Sequence, residues 1–158
     1  MRRHSSGYDV LFFLAIFATL LSLAPGLAHL FELPRKIELS QRAYFTVQQI
    51  YRGWDLFGIA ILVQLGALIL LSVRSWRDHY LFRPVLAALI FLLAAQILFW
   101  LFTFPVNVAT ENWTRVPPDW QELRLAWEYS HACGALCQLL GLCCLIGALF
   151  ARARTAGR

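Results

Sequence analysis

Residues 117–132 read PPDWQELRLAWEYSHA, and the tract that follows, to residue 151, carries no charge. Pro117 and Pro118 stop the preceding loop, Asp119 is placed to cap a helix, and Glu122 completes a capping-box start. Trp120, Leu123 and Trp127 share one face of that helix, while Arg124, Glu128 and His131 share another. Nothing breaks the helix before the uncharged tract at 132–151 begins. A helix rising about 1.5 Å per residue crosses hydrocarbon in about 20 residues, so this tract is long enough to span. The stretch is a polar helix head feeding a membrane span, and that decides the fold class.

Three further tracts, 10–28, 56–73 and 84–110, are equally free of charge. A chain of 158 residues that is 59% hydrophobic and 15% charged cannot hide so much apolar surface in water. The tracts do not alternate polar and apolar residues, which excludes barrel strands and leaves helices as the spanning elements. The expected fold is all-α: a polytopic membrane protein forming an antiparallel bundle of four transmembrane helices. The spans are expected at about 10–31, 54–74, 84–104 and 128–151, in one domain covering 1–158. Amphipathic extensions of the second and fourth helices are expected at about 40–53 and 119–127 on the outer side.

Charge sets the orientation. Arg2, Arg3, Arg74, Arg77, Arg83, Arg152, Arg154 and Arg158 face only Asp9 and Asp78, which leaves that side at +6. On the other side Arg35, Lys36, Arg42, Arg52, Arg115 and Arg124 are outnumbered by Glu32, Glu38, Asp55, Glu111, Asp119, Glu122 and Glu128, for −1. The positive-inside rule then places both termini in the cytoplasm and both long loops outside, in a plasma or inner membrane. The net +5 is a topology signal; basic residues split into short juxtamembrane groups do not imply a nucleic-acid partner. Arg2, Arg3 and the apolar run before Ala24 also resemble a signal peptide, but Pro25 directly after the cut disfavours cleavage.

Along the chain, Pro25 predicts a kink in the first span, and Gly26 beside it permits close approach of another helix. Leu33-Pro34 is expected to end that helix. Ser40 is a candidate N-cap for a helix whose apolar stripe is Ala43, Val47, Ile50 and Trp54, leading over about four turns into the second span. Tyr51 and Trp54 suit the interface level. Asn112-Trp113-Thr114 is a glycosylation acceptor pattern, relevant only in a compartment that glycosylates.

Direction along the spans brings two motifs together. His29-Leu30-Phe31-Glu32 runs outward and Glu128-Tyr129-Ser130-His131 runs inward. Both histidines therefore lie at similar depth with both carboxylates above them, on spans that are neighbours in a four-helix bundle. His29, Glu32, Glu128 and His131 are candidate catalytic residues and, in one version, candidate ligands of a divalent metal. The plainer alternatives are an Arg124–Glu128 helix ion pair, and Arg35 or Lys36 serving Glu32. Gln64, Gln96 and Gln138 lie about two turns inside their spans; they hydrogen-bond between helices or form the polar floor of an outer cavity. Cys133, Cys137, Cys143 and Cys144 lack the C-x-x-C spacing and the loop partner of thiol redox chemistry, and read as packing residues.

Asn107, Trp113, the P-x-D-W of 117–120, Leu123-Arg124, Trp127, Glu128 and His131 form a combination with His29, Glu32, Leu33 and Pro34 and with QQIYRGW at 48–54. This combination resembles the anthrone-oxygenase-like family of small four-helix membrane proteins, much of it a domain of unknown function. The resemblance implies insertion of oxygen into an activated anthrone ring to give an anthraquinone, with no external cofactor because a deprotonated anthrone itself reacts with oxygen. His131 or His29 would be the base, with Asn107, Gln48, Gln49 or Arg124 stabilising the enolate. Tyr51, Trp113, Trp120 and Trp127 complete the expected substrate-contacting set.

The leading expectation is a membrane oxidoreductase or oxygenase with a polar site at the outer face. It takes a small apolar or aromatic molecule from the bilayer, and either no cofactor or a divalent metal. The alternative is a non-catalytic membrane protein whose Trp-rich outer segments hold a lipid, a second copy or a partner membrane protein.

Overall fold

Four helices long and apolar enough to cross a membrane make up most of the chain in this computed structural model, which describes residues Ser5–Ala156. Helix α1 is Ser5–Lys36, and a short α2, Gln41–Gln48, follows it. Helix α3 is Phe57–Ser75 and α4 is His79–Leu98, which passes through a π-helical turn, Phe99–Thr103, into α5, Phe104–Ala109. Helix α6, Trp120–Ala156, is the longest. No strand occurs among the described residues. Arg2, Arg3 and Arg158 of the charge count lie outside them.

The Tyr8 hydroxyl, early in α1, donates to the carbonyl of Arg74 at the end of α3 (2.7 Å). Asp9 pairs with Arg152 near the end of α6. At the other end of α1, His29 meets Tyr51 before α3 and His131 in α6. Helix α1 is thus antiparallel to both α3 and α6. Asp78 starts α4 by accepting from the N–H groups of Tyr80 and Leu81.

The bundle has two interiors. One is aliphatic, built on Ala15, Leu68, Leu71, Val85, Leu92 and Leu145. The second, at the end where α2 packs, is aromatic: Tyr44, Phe45, Trp113 and Trp127 with Val106. Outside, Phe13, Leu62, Ile97 and Phe150 are exposed, as a bundle solvated by lipid requires. Small residues let the helices close up. A Cβ on Gly26 would lie 3.2 Å from the Cβ of Ala135, which bears out the close approach expected there. Gly26→Leu is expected to wedge α1 from α6 and lower stability by about 1–3 kcal/mol, the usual cost of overpacking, read by thermal unfolding in micelles.

Several local expectations are corrected. Helix α1 does not end at Leu33; it runs to Lys36, and the N–H of Ile37 still reaches the carbonyl of Leu33 (3.0 Å). Pro34 falls in the last turn, so its missing donor costs a single bond where the helix is ending anyway. Helix α2 does not lead continuously into the second span. It tightens into a 3₁₀ turn, Gln49–Tyr51, and reverses at Gly53, whose φ of 89° is open to glycine at no steric cost. Its buried face is Tyr44, Phe45 and Gln48, whereas Ile50 of the expected stripe is 61% exposed. The hydroxyl of Tyr44 finds a carboxylate inside, and that partner outweighs the aliphatic stripe. Ser40 is extended but makes no side-chain cap. At α6 the carbonyl of Asp119, rather than a side-chain box, receives the N–H groups of Glu122 and Leu123.

The π turn has a cause in the sequence. Pro105 has no N–H for the carbonyl of Leu101, and the N–H of Phe104 bonds back to Phe99, one residue further than in an α-helix. The extra residue lets Thr103 bond Ser130 on α6 (2.7 Å). After α5, Glu111, Asn112 and Trp113 all have positive φ, an uncommon conformation for side-chain-bearing residues. The N–H of Trp113 bonds Thr110 Oγ1 (3.1 Å) and its carbonyl accepts from Gln49 (2.9 Å), which holds the indole in the aromatic interior.

Candidate functional site

His29 and His131 come together, with ring centroids 4.4 Å apart and planes at 62°. Tyr51, Trp54 and Trp127 surround His29 at 4.5, 5.5 and 4.9 Å, and Trp127 lies 4.0 Å from His131. His131 Nδ1 is 2.9 Å from the carbonyl of Trp127, one turn back on α6. A carbonyl only accepts, so Nδ1 carries the proton and Nε2 keeps the lone pair in the neutral ring. His29 Nδ1 has no hydrogen-bond partner among the described residues; the nearest carboxylate oxygen is Glu32 Oε2 at 3.9 Å.

Beside the imidazoles sits a buried ionic cluster centred on Lys36. Its Nζ is 3.1 Å from Glu128 Oε1 and 3.6 Å from Glu32 Oε2, and it donates to the Tyr51 hydroxyl (2.9 Å). It also lies 4.5 and 4.8 Å from the ring centres of Tyr51 and Trp127, within cation–π range. Tyr44 donates to Glu128 (2.7 Å) and accepts from Gln48 (2.5 Å), while Tyr51 donates to Glu32. The side chains of Lys36 and Glu128 are 3% and 0% exposed, and Glu32 is 39% exposed. Burial first, and then the adjacent carboxylates, push the phenols of Tyr44 and Tyr51 well above their ordinary range, so both remain hydrogen-bond donors.

Lys36 occupies the space between the two carboxylates, and no group of three or more His, Cys, Asp or Glu able to hold a metal occurs among the described residues. Of the plainer alternatives, Lys36 does serve Glu32, but the Arg124–Glu128 pair does not form. Arg124 Nη1 donates to the carbonyl of Leu39 (2.9 Å), and its guanidinium stacks on Trp120 at 4.8 Å.

Below the histidines lies a cavity of about 1140 Å³. Its polar floor is Ser22 on α1 and Gln138 on α6, and Gln64 of α3 bonds to both from behind the wall. Gln64 Nε2 donates to Gln138 Oε1 (3.2 Å), and the Ser22 hydroxyl lies 2.9 Å from Gln64 Oε1 and 3.2 Å from Gln138 Oε1. Gln138 thus does both things expected of it, bonding between helices and flooring a cavity; Gln64 only bonds between helices, and Gln96 lines the wall. Leu62 on α3 and Trp100 beyond α4 also line it, yet are 69% and 57% exposed, so the cavity opens sideways between those helices.

Of the residues singled out in the sequence, His29, His131, Gln48, Gln49, Tyr51, Asn107, Trp113 and Trp127 line the cavity. Asn107 Oδ1 accepts the indole N–H of Trp127 (2.8 Å). Glu32 and Glu128 lie behind the wall in the ionic cluster, and Trp120 and Arg124 pack further out over Tyr44. Tyr44, Trp54 and Ser22 were missed as site components, and Lys36 was read only as one of two cations that could serve Glu32. Lys36 had a signal: on a helix carried past Pro34 it shares the face of His29 and Glu32. Comparison with known proteins matches no family model, no curated protein and no solved structure.

Proposed function

We propose that this chain is a membrane-embedded oxygenase of the anthrone-oxygenase-like kind, acting on a flat aromatic ketone that enters the cavity from the bilayer. The observation that carries the reading is the pair of contacting imidazoles in the wall of a large, mainly apolar cavity, one with its tautomer set by a backbone carbonyl. A base of this kind removes a proton from the ring CH₂ opposite the ketone. The resulting enolate gives electrons to dioxygen and bonds it at that carbon. The peroxide then loses water as the second C–H proton leaves, so one O₂ becomes one new carbonyl and one water. Asn107 and Gln49 stand in the wall for polar contacts, and Trp113 and Trp127 for ring packing. In the proposed orientation the cavity end faces outward and both termini are cytoplasmic, a reading supported by the charge asymmetry.

The experiment is oxygen uptake by the purified protein in lipid nanodiscs supplied with an anthrone. One O₂ consumed per quinone formed, above the rate in empty nanodiscs, is the expected result; no excess rate rejects the reading. Gly134 provides a control, because it lines the cavity and a Cβ there meets nothing within 4 Å. Gly134→Phe is expected to fill the cavity and abolish turnover while the unfolding temperature stays near that of wild type. The non-catalytic partner-binding reading is less favoured, since Trp113 and Trp127 are buried and offer a partner no surface.

A further inference from the structure

We infer that Gln138 is a catalytic residue: its amide is the oxyanion donor that receives the substrate's carbonyl oxygen as the enolate forms, at the end of the cavity away from the histidines. This rests on the proton-abstraction reading above and names the group which that reading requires.

Three observations point to it. The first is orientation. Gln138 is 7% exposed, and its Oε1 is within hydrogen-bond distance of both the Gln64 amide (3.2 Å) and the Ser22 hydroxyl (3.2 Å). With that oxygen accepting from the Gln64 amide, the NH₂ is the end left for a ligand. The second is availability. The amide nitrogen of Gln138 makes no hydrogen bond among the described residues and is not among the sealed unpartnered atoms, although the residue lines the cavity.

The third is spacing. His131 and Gln138 are seven residues apart on α6, as are Ser22 and His29 on α1. Seven residues of helix rise about 10.5 Å. A ring ketone measures roughly 4 Å from its oxygen to the carbon across the same ring, by adding the C=O bond to the ring width. A hydrogen bond of about 2.9 Å at the oxygen and an approach of about 3–3.5 Å at the opposite carbon bring the total to about 10 Å. A molecule with a carbonyl at one end of a ring and an acidic CH₂ at the other therefore bridges the two polar ends of the cavity. When the C–H bond breaks, its proton goes to His131 Nε2 and its electron pair delocalises onto the carbonyl oxygen. Charge develops two helical turns from the base, where a donor is already held in place.

The corrected placement of the expected enolate partners agrees with this division. Arg124 is committed to Leu39 and Trp120 outside the cavity, and Gln48 is committed to Tyr44. Gln64 and Ser22 are positioning residues that act by holding Gln138.

The test uses 9,10-anthraquinone as a probe, bound to the full chain in nanodiscs, with its carbonyl stretch read by infrared difference spectroscopy. The two carbonyls are equivalent in free probe. On binding to wild type the band is expected to split, with one component lowered by the amide hydrogen bond. Gln138→Met, close in volume and without donors, is expected to remove the lowered component and retain binding. The same variant is expected to lower kcat about 10²–10³-fold, the usual loss of one oxyanion donor, with KM changed only a few-fold. Binding to wild type with a single unshifted band overturns the role of Gln138 and leaves the oxygenase reading standing, as does a lowered band that survives in Gln138→Met. Failure of wild type to bind the probe overturns both.

Discussion

Replacing Lys36 with Met is expected to cost about 3–5 kcal/mol of stability, because it strands a carboxylate that is buried and paired. Glu128 is 0% exposed, and its Oε1 faces Lys36 at 3.1 Å; its Oε2 has no hydrogen-bond partner among the described residues. Without the ammonium, Glu128 keeps the Tyr44 hydroxyl but faces Glu32 with no intervening positive charge. The cluster also ties the end of α1 to α2, α6 and the 3₁₀ turn at Tyr51, so its loss loosens the whole rim of the cavity. The measurement is a double-mutant cycle in micelles with Lys36→Met, Glu128→Gln and the pair together. The double variant should be markedly more stable than the sum of the singles, since it removes both charges and leaves Tyr44 an amide oxygen to donate to. Additive losses would show that the two side chains do not depend on each other.

The second large effect concerns His131. His131→Ala is expected to lower kcat about 10²–10⁴-fold, the range supplied by a positioned general base. The argument is geometric: the Trp127 carbonyl accepts from Nδ1, so the lone pair on Nε2 is available without any change of tautomer. Truncation to Ala leaves an imidazole-sized space open to the cavity, so added imidazole should restore part of the rate. His29→Ala should also slow turnover, because the two rings are in contact and His29 shapes the approach to His131. If the two act as a unit, the double variant falls little below the worse single. Full activity in His131→Ala, or a loss that imidazole does not relieve, would assign the base elsewhere.

The division between end and side of the cavity has a consequence for access. Its polar groups gather at the imidazole rim and around Ser22 and Gln138 at the floor, and apart from Gln96 the wall between α3 and α4 is aliphatic and aromatic. An apolar ring system can therefore enter edge-on from lipid and exchange its hydration cost for two polar contacts at its ends.

Much of this was legible in the chain. Long uncharged tracts permit only helices in hydrocarbon, because every backbone group must bond within its own segment. Opposite directions of HLFE and EYSH place both histidines at one depth, and the rings do meet. Gln64 and Gln138 announced a polar link between helices by being the expensive residues in apolar runs, and Gln138 also floors the cavity. These conclusions follow from helix periodicity and the chemistry of the solvent, both of which are local.

What escaped depends on contacts between segments distant in sequence. Lys36 was legible as a partner for Glu32 but its burial was not, because the residue before proline usually leaves the helix; one more turn of α1 is held by Glu128 and Tyr51, which the chain supplies 92 and 15 residues later. The face of α2 that turns inward was misjudged for the same reason: an aliphatic stripe is a local signal, whereas a hydroxyl that satisfies a buried carboxylate across 84 residues is not. The sequence by itself determined that this is a bundle of membrane helices with two histidines at a common depth, since period and hydropathy need no partner to be read. Only the tertiary structure decided that a lysine fills the gap between the carboxylates, and that the cavity runs down to Gln138, because both depend on which side chains share a desolvated space.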